Sequence, residues 1–188
     1  MRQVQHALVA FGSNLHLNGK DPLTTLREAA LALSSRGMVI RRISRSYASP
    51  CFPAGAGPDY VNAAALVEVR ETAAEVLARL HAVEAQFGRE RVQRWGQRVL
   101  DLDLLALEDQ VLPDAATQAE WRNLALEQQV LRAPDQLILP HPRLQDRAFV
   151  LVPLADVAPD WQHPVLGLSV LQMLDRLNPA DIAAVTPL

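Results

Sequence analysis

The stretch VLDLDLLAL, Val99 to Leu107, alternates between apolar and acidic residues before closing on an apolar run. Alternation with a period of two marks a strand, because successive side chains point to opposite faces. Leu100, Leu102 and Leu104 are therefore expected to face a helical layer, and Asp101 and Asp103 to share the other face. Working back along the chain, ALVAF (Ala7 to Phe11) reads as a first buried strand running into a turn at GSN. Asp21 has the character of an N-cap, with Pro22 at the first helical position and Leu23, Leu26, Ala30 and Leu33 at helical spacing before Gly37. MVIRRISRSYAS reads as a second strand and YVNAAALVEVR as a third. Thr72 and Glu75 form a capping box that opens a second helix, with Leu77, Leu80, Val83 and Phe87 on one side and Gly88 at its end. With Val99–Leu107 as the fourth strand, the order is β-α-β-β-α-β, the split pattern of a ferredoxin-like α+β sandwich.

Downstream, residues 108–136 are polar and partly helical in pattern, and a last short helix is expected around Val170 to Leu177. The segment LILPHPRLQDRAFVLVPLADVAPDW between them is mixed. No repeat or low-complexity tract interrupts the chain, so residues 1–188 are expected to form one domain with a C-terminal extension. Hydrophobic content of 49% with 21% charged residues is that of an ordinary globular protein. No apolar run approaches the roughly 20 residues a membrane span needs, the N-terminus lacks a signal-peptide core, and the single cysteine, Cys51, forms no internal disulfide framework. A cytoplasmic protein without a membrane partner is the expectation. A net charge of −3 argues against a general nucleic-acid binder.

Two carboxylates side by side on an apolar strand repel each other and resist desolvation. A hard divalent cation resolves both difficulties, and magnesium takes one or two carboxylates with substrate phosphate oxygens. The plainer reading is a solvated sheet face with the aspartates paired to arginines. Just upstream, Arg89, Arg91, Arg94 and Arg98 crowd ten residues of a loop, where guanidinium forks can meet a polyphosphate. A run of charge usually means a solvated face. Loop arginines leading into a same-face Asp-x-Asp strand read instead as metal-dependent phosphoryl transfer. A P-loop is excluded: six residues separate Gly12 from Gly19-Lys20 where that motif has four, and Asp21 stands where Ser or Thr should bind magnesium.

The motifs FGSN, PDYVNAA, GRERVQRWGQRVLDLDLL and LPHPRLQDRAFVLVPL, in this order, resemble those of 6-hydroxymethyl-7,8-dihydropterin pyrophosphokinase. The resemblance covers nearly the whole chain. It implies a ferredoxin-like enzyme that transfers the diphosphoryl unit of ATP to the pterin hydroxymethyl group and releases AMP, with two magnesium ions. Asp101 and Asp103 then match the magnesium ligands. Arg89 resembles the loop arginine that closes over the reacting phosphates, Arg98 the one that holds ATP phosphate, and Arg91 a further nucleotide contact. His141 and Arg147 match ATP-contacting positions, and Leu77, His81 and Glu84 fall where the family lines its adenosine site. For the pterin, Asn62 matches the asparagine that reads the pyrimidinone edge, and Tyr60 and Phe149 the stacking pair. Ser49, Pro50 and Phe52 lie on a loop facing the pterin, and Trp95 matches a tryptophan that covers the site. Ser13 and Asn14 are expected to stabilise the turn after the first strand.

Two departures from the pattern stand out. The segment between Leu107 and Pro140 is longer than the family's connection, and Gln97 replaces the proline of RWGPR. Alternatives are a paralogue acting on a related hydroxymethyl-pterin, as in a methanopterin-like route, and a non-catalytic pterin- or RNA-binding module. The RNA-binding reading lacks its aromatic strand motif. A monomer is expected.

Overall fold

The computed structural model describes residues 2–51, 57–88, 98–125, 128 and 131–188. Strands β1 (Gln5–Ser13), β2 (Val39–Ile43), β3 (Tyr47–Ser49), β4 (Tyr60–Val69), β5 (Asp101–Leu107) and β6 (Thr186–Pro187) form an antiparallel sheet in the order β5-β1-β4-β3-β6, with β2 also on β4. The helices are α1 (Pro22–Ser35), α2 (Ala73–Gln86), α3 (Ala115–Arg122), α4 (Ala148–Val157), α5 (Val170–Leu174) and α6 (Pro179–Ala183). This is a ferredoxin-like α+β fold. The expected second strand is two short ones, β2 and β3, both laid along β4 and interrupted at Ser44–Ser46. The Ser44 hydroxyl, which accepts from Ala64 N, replaces regular pairing there, while the bulge in the β2–β4 register lies earlier, between Ile40 and Arg42.

Both predicted helix starts are made as read. Asp21 accepts a hydrogen bond from Thr24 N, which holds its carboxyl below the usual range, and Thr72 and Glu75 close a reciprocal capping box. Past each C-cap a glycine takes a positive φ, 82° at Gly37 and 77° at Gly88, a conformation that costs other residues strain.

The sheet separates two cores. On one face Ala7, Val9 and Phe11 of β1, alternate residues of β4, and Leu100, Leu102 and Leu104 pack under Leu26, Ala29 and Leu33 of α1 and Val76, Leu80 and Val83 of α2. Each fully buried leucine contributes on the order of 2 kcal/mol, and a one-residue slip would expose them all, so the register of β5 is fixed. On the other face Leu8, Ala64, Leu105 and Ala106 lie under Leu144, under Val150, Leu151 and Leu154 of α4, and under Val170 and Met173 of α5. Leu105 reaches this face by alternation, and Ala106 joins it because the β1–β5 register skips Leu105, pairing Val9 with Leu104 and Leu8 with Ala106.

His163 belongs to this second layer and is fully buried. Its Nδ1 accepts from the amides of Val165 and Leu166, and burial pushes its pKa from 6.5 down to about 4, with the nearby Arg122 charge adding to the effect. The folded protein therefore holds it neutral. The stability this confers is complete above pH 6.5 and is lost as pH falls through about 4. The loss should be on the order of 2 kcal/mol. Urea titrations at pH 7 and pH 4.5 should show it, and His163→Asn, which keeps an acceptor but does not titrate, should flatten the difference. An unchanged difference in the variant would place the acid sensitivity elsewhere.

Candidate active site

Antiparallel partners share a face, so the register sets out two rows of side chains beyond the edge of the second core. One row runs Asp101, Gly12, Asn62, Tyr47 across four strands, and the next runs Asp103, Ala10, Ala64. Asp101 and Asp103 are half-buried while Leu100, Leu102 and Leu104 are buried, as the alternation predicts. Among the described residues Gly12 and Ala10 lie between the carboxylates and Asn62, beside Ala64, which the second core covers.

Gly12 lies in regular strand backbone, where glycine weakens pairing without compensation. A methyl there would meet Asn62 Oδ1 at 3.7 Å, Asp101 Cβ at 3.8 Å and Tyr60 Cδ1 at 3.8 Å, all ordinary contacts. Among the described residues nothing excludes a side chain at this point; its absence leaves a bare step between three predicted site residues. Sequence reading missed Gly12, because a residue without a side chain carries no motif chemistry and only the register reveals its neighbours.

Asn62 is 4% exposed, and its Nδ2 donates to Ser49 Oγ at 2.8 Å. Ser49 thus fixes the amide, with Asn62 Oδ1 left on the Gly12 side. Pro50, beside it, is exposed. Ser13 and Asn14, both buried, reach further than their own turn. Ser13 Oγ donates to Val99 O at 2.6 Å and Asn14 Nδ2 to Pro58 O at 3.1 Å. Asn14 also grips Arg98 twice: its amide donates to Arg98 O at 3.0 Å, and its Oδ1 accepts from Arg98 N at 2.8 Å. The GSN turn is therefore a clasp that joins the approaches to β4 and β5 and fixes the backbone of Arg98.

The guanidinium of Arg98 pairs with Asp101 at 2.5 Å. Burial opposes its charge, but Asp101, with help from Asp103 and Tyr60, outweighs burial and holds its pKa above the usual value. Arg147 approaches from the start of α4. Burial lowers its pKa, and the charges of Asp103, Asp146 and Asp101 oppose that. Its guanidinium lies 5.7 Å from the ring centre of Phe149, which is 38% exposed and so no part of the core. His141 completes this side. Its amide donates to Leu105 O at 2.8 Å, and its Nδ1 accepts from Arg143 N at 3.1 Å. Burial pushes its pKa to about 3, with Arg147 adding to the effect, so the ring is neutral and presents Nε2–H as its donor.

Leu77, His81 and Glu84 fall on one face of α2. Glu84 is buried and accepts the amide of Leu102 at 2.7 Å, which ties this face to β5; Leu77 and His81 are half-buried. Arg89, Arg91 and Trp95, with Phe52, lie outside the described residues, as does Gln97. The structure thus gathers Asp101, Asp103, Arg98, Arg147 and His141 electrostatically at one end, and Asn62, Ser49 and Tyr60 beside them.

Among the described residues no group of three or more His, Cys, Asp or Glu could hold a metal ion. Two carboxylates at same-face positions on one strand instead suit a hard cation that takes further oxygens from water and phosphate. The donor set fits magnesium and not a protein-caged zinc.

A model of the family described as 7,8-dihydro-6-hydroxymethylpterin-pyrophosphokinase matches residues 8–159. The chain is 33% identical over 186 residues to the 2-amino-4-hydroxy-6-hydroxymethyldihydropteridine pyrophosphokinase of Synechocystis sp., covering 99% of this chain and 83% of that protein. It is 31% identical over 182 residues to the enzyme of the same name from Haemophilus influenzae, covering 92% and 98%. The crystal structure of wild-type Plasmodium falciparum HPPK-DHPS superposes with a TM-score of 0.66 at 12% identity, over 94% of this chain and 45% of that one, a likeness of fold.

Proposed function

The chain belongs to the 7,8-dihydro-6-hydroxymethylpterin-pyrophosphokinase family, and from that premise we propose that this site transfers the diphosphoryl group of ATP to the hydroxymethyl group of 6-hydroxymethyl-7,8-dihydropterin, a step of folate biosynthesis. The observation that carries the site assignment is the row Asp101, Gly12, Asn62, which sets a carboxylate beside a heterocycle-reading amide with a bare floor between them. Family membership does not favour the regulator, RNA-binding or related-pterin readings. The same proposal makes the protein a cytoplasmic monomer; among the described residues no helix is long and apolar enough to cross a membrane.

The residues divide the work as follows. Asn62, oriented by Ser49, offers Oδ1 and an amide hydrogen to the pyrimidinone edge. Tyr60 and Phe149 offer flat faces for a flat heterocycle. Arg98, Arg147 and neutral His141 donate to phosphate oxygens, and Leu77, His81 and Glu84 line the adenosine side. Asp101 and Asp103 would hold magnesium, two ions in this proposal, which when bound neutralises phosphate charge and polarises the reacting oxygens. The pterin alcohol releases its proton to solvent as its oxygen attacks the β-phosphorus, the bond from that phosphorus to the α,β-bridging oxygen breaks, and AMP leaves with the electron pair. Negative charge grows on the oxygens that the arginines face.

The test is pterin-dependent consumption of ATP in the presence of magnesium. ATP should be stable until the dihydropterin is added. Loss without pterin, or none with it, overturns the reading. Gly12→Ala gives a further expectation. Its methyl meets only ordinary protein contacts but fills the step where the pterin would lie. It should raise the pterin KM by roughly tenfold or more, the usual scale of overpacking, with melting temperature and nucleotide KM unchanged. An unaltered pterin KM would remove Gly12 from the site.

A further inference from the structure

The long segment between Leu107 and Pro140 has no part in the chemistry above, yet it reaches the site through a buried side chain. Its base is closed by a two-way backbone bridge, Leu112 N to Leu139 O at 2.9 Å and Leu139 N to Leu112 O at 3.1 Å. Helix α3, capped by Asp114 through Thr117 N, is thereby returned against the chain just before His141. From α3 the side chain of Gln118, fully buried, donates from Nε2 to Pro140 O at 3.2 Å, and its Oε1 accepts from Arg122 at 3.4 Å, which settles the amide's orientation.

The consequence lies in the peptide plane joining Pro140 to His141. Its carbonyl is held by Gln118, and its N–H donates to Leu105 O on the opposite side, at the residue that the bulge in β5 leaves unmatched. Beyond that plane the imidazole is held once more, by Arg143 N on Nδ1. Backbone direction and ring tautomer are therefore both set, and Nε2–H has one direction in which to donate. A carbonyl buried at Pro140 with no donor would be costly, and the cheapest relief is a rotation of this plane, which would swing His141.

We propose that the insertion is a brace for the nucleotide side of the site and that Gln118 is a positioning residue for His141. The proposal rests on the reading that His141 meets nucleotide phosphate. Gln118→Met keeps length and bulk but removes the donor. It should weaken binding of α,β-methylene ATP with magnesium about fivefold, the worth of one hydrogen bond, and leave the affinity for 6-hydroxymethylpterin unchanged.

A double-mutant cycle separates positioning from general stability. His141→Ala should itself weaken the nucleotide analogue, and Gln118→Met should add nothing in that background. Losses that multiply in the double variant, or equal losses for pterin and nucleotide, overturn the brace. Normal nucleotide affinity in His141→Ala overturns instead the reading on which it rests. If Gln118→Met is unfolded at the assay temperature, Gln118→Asn, one methylene too short to reach Pro140, carries the same cycle with the same expected pattern and the same overturning results.

Discussion

Asp103→Asn and Asp101→Asn should each lower turnover by roughly a thousandfold or more while the protein stays folded. The expectation follows from what the substitution changes. Asparagine keeps the shape of aspartate and removes its charge, so a hard cation loses one of only two anionic protein ligands at same-face positions of β5. Metal-held phosphate charge is worth several kcal/mol of transition-state stabilisation, and each 1.4 kcal/mol is tenfold in rate. The structural effects run through different arginines. Asp103→Asn relieves repulsion between neighbouring carboxylates but takes from the half-buried Arg147 guanidinium the first of its counter-charges, so it should melt below the wild-type temperature, through Arg147. Asp101→Asn leaves the half-buried guanidinium of Arg98 without its 2.5 Å anionic partner and should melt lower. Manganese binding by electron paramagnetic resonance, with nucleotide present, should weaken in both. Near-normal turnover in magnesium for either variant removes that residue from the cation site.

Arg98→Ala should reduce turnover by roughly 100- to 1000-fold, the scale for removal of one preorganised donor, and should also weaken nucleotide binding. The reason is rigidity. Asn14 clips both backbone groups of Arg98, and Asp101 holds its guanidinium, so this charge stands in place before the transition state forms. A group already in place acts on ground state and transition state alike. Arg98→Lys should recover little, because a point charge cannot replace the planar fork. Arg89, assigned from the sequence, is expected to behave differently: Arg89→Ala should damage turnover far more than affinity, as fits a charge brought up when the site closes. Titration with α,β-methylene ATP beside single-turnover kinetics distinguishes the two. Equal losses of affinity and rate in Arg89→Ala would make it a plain phosphate clamp.

The legible parts of this protein are those where side-chain chemistry and period coincide. The β5 alternation put leucines and aspartates on opposite faces, and the caps at Asp21 and Thr72 were written in their residues. The illegible parts have physical reasons. AFVLVPLADV of α4 is apolar at every position but Asp156, including the exposed Phe149, so its buried side does not stand out as an amphipathic stripe. The division of the second strand depends on the hydroxyl of Ser44 bonding to β4, which alternation does not encode. Gly12 matters through neighbours on the two strands that flank it, and Gln118 through a carbonyl 22 residues away. The four motif stretches pointed to the family, and the match over residues 8–159 agrees with them.

The most direct measurement is phosphorus NMR of the products formed from ATP, magnesium and 6-hydroxymethyl-7,8-dihydropterin. Attack on the β-phosphorus predicts AMP and a pterin diphosphate in equal amounts, with two coupled phosphorus resonances on the pterin. ADP with a pterin monophosphate would show attack on the γ-phosphorus, and would contradict the assignment of this site to diphosphoryl transfer.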